Sequence, residues 1–180
     1  MLRSFLAMLA VAAAATFAHA DEVTLDNLKS TTPASWKSEK PSNKFRAYQF
    51  TVPKAKGDDA DAEIVIFFFG PGGGGGTAEN LKRWKGMFDA PEGKSIDDVS
   101  KVETFKIPKA EITYLDVKGT YLSKFPPFDP NAKLTRKENY RRLGVVFESE
   151  NGPYFITVTG PANTVAAAKT DFDNWLKNFK

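Results

Sequence analysis

The chain has 180 residues and a formal net charge of +3, from 25 basic and 22 acidic side chains. This nearly balanced charge argues against nucleic-acid binding, which needs a concentrated basic surface. The sequence has no cysteine, which excludes disulfides, thiol catalysis and attachment of a lipid to a cysteine.

Residues 1–20 have the pattern of a cleavable signal peptide. A basic residue near the start precedes an apolar run over residues 7–17, and Ala18-His19-Ala20 is a small-residue cleavage site. The run is shorter than the about 20 apolar residues of a membrane-spanning helix. We therefore expect a periplasmic or secreted product, a single globular domain over residues 21–180 without a membrane span. Cleavage would remove the single histidine, and with it histidine-based catalysis, zinc sites and haem ligation.

The sequence of the first half of this expected domain predicts mostly strands. Residues 21–35 hold a short strand around Leu28. Alternation of apolar and polar residues predicts a strand over 46–52, and a continuous run of β-formers predicts a strand buried on both faces over 63–69. The aspartates of the polar segment 53–61 lack the glycine and the distant glutamate of an EF-hand loop, so we expect a solvated turn there.

A glycine-rich loop follows the buried strand. It runs from Gly70 to Gly76, and Thr77 is expected to cap a helix whose apolar positions extend to Phe88. A strand, a glycine loop and a helix N-terminus together can bind phosphate through backbone N–H groups, although the lysine of a P-loop is missing here. The alternative is a flexible loop that passes a crowded sheet edge. An anion would be bound by Gly72, Gly73, Gly74, Gly75, Gly76 and Thr77.

The second half predicts further strands and a final helix. The expected strands are 102–107, 111–121, 140–148 and 154–159. A long loop at 122–139 and a hairpin turn at Asn151-Gly152 separate them. Gly160-Pro161 opens a helix with one apolar stripe: Val165, Ala168, Phe172, Trp175, Leu176 and Phe179. This order predicts an α+β fold, an antiparallel sheet covered by helices, with Trp36, Trp84 and Trp175 in its core.

Several motifs resemble a group of exported bacterial proteins of uncharacterised function. They are Pro33-Ala34-Ser35-Trp36, the run Phe67-Phe68-Phe69-Gly70-Pro71, the segment Gly152-Pro153-Tyr154-Phe155, and Thr159-Gly160-Pro161 ahead of the final helix. The element order is also similar to the Mog1/PsbP-like fold, an α/β/α-layered arrangement. Relatives with that fold bind proteins, but a fold alone does not carry function, so the resemblance implies a fold and supplies neither a function nor site residues.

The predicted loop at 122–139 holds the candidate partner-binding residues. The basic residues of the loop and its border are Lys124, Lys133, Arg136, Lys137, Arg141 and Arg142. Phe125 and Phe128 flank two prolines that hold the backbone extended, so they would act as apolar anchors. Arg136 and Lys137 would steer association with the partner. The alternative is that both phenylalanines close the core beneath the loop.

Three functions are compatible with the sequence. We prefer a non-enzymatic, exported protein-binding domain, because the chain has no G-x-S-x-G, S-x-x-K or similar catalytic signature. The second is an anion or small-ligand binder that uses the glycine-rich loop. The third is a histidine-free hydrolase built from Ser and Lys or from paired carboxylates. We expect no cofactor, no metal and no nucleic-acid partner.

Overall fold

The computed structural model describes residues 20–124 and 131–180. The strands are β1 Glu22–Leu25, β2 Leu28–Thr31, β3 Lys37–Glu39, β4 Arg46–Val52, β5 Ala62–Phe68, β6 Phe88–Asp89, β7 Ser100–Ile107, β8 Ala110–Lys124, β9 Leu134–Ser149 and β10 Gly152–Pro161. The helices are α1 Thr77–Lys85 and α2 Ala162–Lys177, and a 3₁₀ turn covers Asp97–Val99.

Eight strands form one antiparallel sheet. Its order is β3-β4-β5-β10-β9-β8-β6, and β7 pairs with β8 on the same side as β6. The strands β1 and β2 form a separate hairpin. Short connections between consecutive antiparallel strands account for most of this topology. The sheet carries helices on its two faces, so the predicted α+β class is confirmed.

The helix α2 covers one face of the sheet and builds the larger core. Its predicted stripe is confirmed, because Phe172, Trp175 and Leu176 are buried against that face. The ring of Trp175 lies 5.2 Å from that of Trp36, between ring centroids. The hairpin β1–β2 contacts α2, because the Ser30 hydroxyl donates a hydrogen bond to the Trp175 carbonyl at 2.7 Å.

The helix α1 covers the other face through one large side chain. Trp84 is buried there with residues of β8 and β9. The Trp84 ring lies directly over Gly144 of β9, and a Cβ atom at Gly144 would collide with it. Absence of a side chain at Gly144 is therefore what lets this short helix approach the sheet.

The start of α2 is held by a residue distant in sequence. Pro161 precedes the helix and offers no side-chain cap. The Asp58 carboxylate takes that role, because it accepts hydrogen bonds from the Thr164 backbone N–H at 2.8 Å and the Thr164 hydroxyl at 2.6 Å. These bonds, the hydroxyl one first, lower the pKa of Asp58. The expectation of a merely solvated turn at this aspartate is therefore wrong.

Two predicted details of α1 are wrong. The helix ends at Lys85, and Phe88 belongs to β6, because Gly86 caps the helix and the chain then turns into the sheet edge. The N-cap is Gly76 and not Thr77. The Thr77 hydroxyl instead donates to the Glu148 carboxylate at 2.5 Å, which ties the helix to β9.

The predicted loop at 122–139 is also wrong for most of its length. The strand β8 continues to Lys124 and β9 starts at Leu134, so the described parts of this segment form a long hairpin. The register pairs Lys124 with Leu134 and Tyr121 with Lys137. The two strands form here through backbone pairing, although the sequence of this segment has no alternation of apolar and polar residues.

Candidate functional site

The outer part of the β8–β9 hairpin projects past the sheet. We call residues 118–124 and 133–139 the arm. The strand β10 stops pairing with β9 at the Pro161–Tyr140 pair, so the outer edge of residues 134–139 has no strand partner among the described residues. Every side chain from Leu134 to Asn139 is exposed. The arm therefore offers both its side chains and a free backbone edge to a partner.

A β-bulge lies at the point where the arm leaves the sheet and changes the direction of its strands. The β8–β9 register shifts between Gly119 and Tyr121, and Asn139 on the opposite strand has a left-handed φ of 56°. A Cβ atom at Gly119 would collide with the Asp89 carbonyl of β6. Bulges of this kind increase twist and bend the strand, so the local sequence sets the direction of the arm.

Aromatic rings support the base of the arm. The Tyr121 ring lies 5.2 Å from that of Phe88 and stacks on that of Tyr140 at 6.0 Å, between centroids. The Leu122 N–H donates to the Met87 carbonyl at 2.8 Å. These contacts fix the near half of the arm to β6 and the connection that follows α1.

Arg142 lies under this base, and its position corrects the sequence analysis, which placed it with the surface cations. It is 6% exposed and donates to the Thr159 hydroxyl at 2.8 Å and to the Tyr121 hydroxyl at 3.2 Å. Burial lowers the pKa of its guanidinium, against the opposing effect of Tyr121. Arg142 is a structural arginine that orients Tyr121.

Arg141 points to the opposite face of the sheet, and it too is not one of the free surface cations. Its guanidinium forms a bidentate ion pair with the Asp116 carboxylate, with Nε–Oδ1 at 2.8 Å and Nη2–Oδ2 at 2.5 Å. Since fork-shaped pairs of this kind neutralise each other, Arg141 adds little charge to the arm.

The predicted steering residues both lie on the arm, in different environments. Arg136 pairs with Asp89 of β6, with Nη1 and Oδ2 at 2.7 Å. The Nζ of Lys137 lies 5.4 Å from the centroid of the Tyr140 ring and forms no ion pair with a described residue. Phe125 and Phe128, the predicted anchors, lie outside the described residues. Arg136 and Lys137 are consecutive residues of one exposed strand, where successive side chains point to opposite faces.

Further lysines increase the positive charge of the arm. Lys118, Lys124 and Lys133 are exposed at its base and toward its end. None of them forms an ion pair with a described residue. With Lys137 they make the surface of the arm basic overall, although the exposed carboxylate of Glu138 lies next to Lys137.

The glycine-rich loop is organised by a residue that the sequence analysis missed. Asn80 is fully buried, and its Nδ2 donates to the carbonyls of Gly74 and Gly76 at 3.0 and 2.8 Å. The loop therefore directs carbonyl oxygens, not only N–H groups, toward the start of α1. A signal was available, because Asn80 lies one turn before Trp84 on the buried face of the helix.

Gly74 occupies the most crowded point of this loop. A Cβ atom there would collide with the rings of Phe155 and Phe69, and φ at Gly74 is 88°. These facts support the packing interpretation of the loop. No described contact favours anion binding by residues 72–77, and that interpretation stays a prediction.

A cleft of about 520 Å³ lies between α2 and the β7–β8 hairpin. The Tyr114 hydroxyl donates to Asp173 Oδ1 at 2.9 Å, and Lys169 Nζ lies 2.6 Å from Asp173 Oδ2. Burial, followed by the charge of Asp173, raises the pKa of Tyr114. Tyr114, Asp173 and Lys169 are thus joined by hydrogen bonds at the wall of the cleft.

The described residues also bear on metal sites and on membrane spans. No group of three or more His, Cys, Asp or Glu side chains in the described ranges could hold a metal ion. Neither helix within residues 20–124 and 131–180 has the length and apolar character needed to cross a membrane.

Comparison with known proteins shows similarity to solved structures and none to sequence families. No family model matches the sequence, and no curated protein matches it. The solution structure of cyanobacterial PsbP (CyanoP) from Synechocystis sp. PCC 6803 is similar over 96% of this chain and 98% of that chain, with 12% identity and a TM-score of 0.44. At that level of similarity we draw no functional conclusion.

Proposed function

We propose that the chain is an exported, non-enzymatic protein-binding domain and that the arm is its partner-contacting surface. The observation that carries the proposal is the projection of an exposed hairpin end, with unneutralised lysines and a free strand edge, beyond the sheet. An uncovered strand edge promotes aggregation, and most proteins protect such edges. An exposed edge is therefore expected to have a function.

The chemistry of the arm defines the expected partner. Lys124, Lys133 and Lys137 would steer the arm toward an acidic protein surface. Phe125 and Phe128, by the sequence argument, would supply the apolar anchors that dominate binding energy, at about 2 kcal/mol or more each. The Arg136–Asp89 pair holds the arm against β6, which reduces the entropy lost on docking.

The remaining surface favours this proposal over catalysis. The cleft beside α2 has its Tyr114, Lys169 and Asp173 side chains paired with one another. The glycine-rich loop has its carbonyls bound to Asn80. Because the sequence also has no hydrolase signature and the glycine-rich loop lacks the lysine of a P-loop, we rank the hydrolase and the ligand binder behind the protein-binding domain.

Crosslinking from periplasmic extract of the source cell tests the proposal with charge-matched variants. The arm variant is Lys124→Glu with Lys137→Glu, and the control is Lys40→Glu with Lys82→Glu, which makes the same charge change elsewhere. All four lysines are free of ion pairs with described residues. We expect the arm variant to lose the crosslinked partner about tenfold more than the control.

A second variant, Phe125→Ser with Phe128→Ser, separates anchoring from steering. We expect an unchanged melting temperature and loss of the partner. Equal capture by the arm variants and the control would overturn the proposal. A large drop in melting temperature for the phenylalanine variant would show that both rings belong to the core and would remove them from the binding surface.

A further inference from the structure

The strand β7 forms a long, unprotected edge of the sheet. All its residues from Ser100 to Ile107 pair with β8, and its other side pairs with no strand of the described residues. The opposite edge, β3, has only three residues, Lys37–Glu39, all exposed, which is a common protection of an edge. No proline interrupts β7, so another strand can join this edge along its whole length.

The hairpin turn decides which backbone groups of β7 face outward. Ile107 and Ala110 close a two-residue turn at Pro108-Lys109, and Lys109 has a φ of 64°. The closing pair of such a turn exchanges hydrogen bonds, and the pattern alternates along the strand. The outward N–H and C=O groups therefore belong to Ser100, Val102, Thr104 and Lys106.

An exposed apolar side chain lies at the middle of this edge. Val102 is 43% exposed and is one of few large apolar side chains in the described ranges with that much exposure. Lys101 and Glu103 flank it on the other face of the strand and form an ion pair with each other. The edge thus has a central apolar residue with one positive and one negative neighbour.

We propose that a second copy of this chain pairs with β7 along this edge, antiparallel, about a two-fold axis at Val102. In this register Lys101 lies directly opposite Glu103 of the second copy, and the reverse pair forms as well. Opposite charges in directly facing cross-strand pairs stabilise a sheet. The two Val102 side chains meet at the axis and become buried.

The alternative registers are disfavoured by charge. Only even-numbered residues carry outward backbone groups, and an axis at any residue of the strand pairs them with one another, so the nearest alternatives lie at Lys101, Glu103 and Thr104. At Lys101 two ammonium groups face each other. At Glu103 two carboxylates face each other, which destabilises a strand pair. At Thr104 the apolar Val102 faces a lysine, Lys106, and no opposite charges meet. Charge complementarity therefore selects the register centred on Val102.

Sedimentation velocity from about 1 to about 500 µM on the full chain tests the proposal. We expect a concentration-dependent dimer for the natural sequence. Lys101→Glu places like charges in both facing pairs, and Glu103→Lys does the same with the opposite sign, so each should raise the dimer Kd about tenfold. The double variant Lys101→Glu, Glu103→Lys restores both pairs and should restore the dimer.

Thr104→Pro tests the backbone part independently. Its N–H points away from β8, so proline there removes an outward donor and is tolerated at an edge. We expect a folded monomer, with the far-UV circular dichroism of the natural sequence. A natural sequence that stays monomeric at every concentration overturns the proposal, as does a dimer unchanged by Thr104→Pro. A double variant that fails to restore the dimer overturns the register.

Discussion

At the scale of single residues, the Gly144–Trp84 contact determines how α1 sits on the sheet. We predict that Gly144→Ala destabilises the protein by about 1–3 kcal/mol, because the added methyl group displaces the indole from a packed core. Equilibrium denaturation measures the change.

A double-mutant cycle is the control for this contact. In the Trp84→Ala background the space over Gly144 is free, so Gly144→Ala should cost much less there. Equal costs in the two backgrounds would contradict the packing of Trp84 on Gly144.

A second residue-scale prediction concerns pH. The hydrogen bonds from Thr164 hold the pKa of Asp58 below its usual value, so the carboxylate contributes stability that is fully present above about pH 4. That contribution is lost as the pH falls through the folded pKa.

We predict that Asp58→Asn lowers the melting temperature by a few degrees at pH 7. The difference in melting temperature between this variant and the natural sequence should narrow below about pH 4. Thermal melts across pH check this, with Asp59→Asn as the neighbouring control. A difference that is the same at all pH values would contradict the capping role.

At the scale of elements, α2 is the main support of the larger core. Trp175 contacts Trp36, Phe172 and Phe179 by ring packing. We predict that Trp175→Ala costs about 3–5 kcal/mol, measured by chemical denaturation. Lys177→Ala on the same helix is the control and should change stability little. An unchanged melting temperature for Trp175→Ala would mean that α2 is not packed on the sheet as described.

The part of the arm beyond the Tyr121–Lys137 pair, which we call the outer arm, should be dispensable for folding. We predict that replacing residues 122–136 by Asn-Gly, which joins Tyr121 to Lys137, leaves the melting temperature within a few degrees, since the removed described side chains lie mostly outside both cores. Differential scanning calorimetry checks this. Loss of cooperative unfolding would contradict the separation of the outer arm from the core.

The elements differ in how well the sequence predicts them, for physical reasons. The strand β5 and the helix α2 each bury a face, so burial imposes a pattern on the sequence, and both were predicted. The outer arm has both faces in solvent, so nothing imposes alternation on residues 134–139, and a loop was predicted there. Arg142 was assigned to the surface because it is charged. Its burial depends on hydrogen bonds to the Thr159 and Tyr121 hydroxyls, which the sequence does not predict.

At the scale of the whole molecule, the sheet presents separate places for two kinds of contact. The arm leaves the sheet beyond the end of β10, whereas β7 pairs with the opposite end of β8, at Ala110–Val117. The two proposed interfaces share no residue. A dimer formed through β7 would therefore carry two arms, and two arms on one partner assembly would raise the overall affinity through effective concentration.

Site-specific photo-crosslinking tests the central claim most directly. A photo-reactive amino acid is placed at Thr135 on the arm, and at Lys82 on α1 as the control, in the protein expressed in its source cell. Our account predicts that Thr135 yields an adduct with one distinct protein, identified by mass spectrometry and lost in the variant Lys124→Glu, Lys137→Glu, while Lys82 yields none. An absence of any adduct from the arm, or the same adduct from Lys82, would contradict the claim that the arm is the partner-contacting surface.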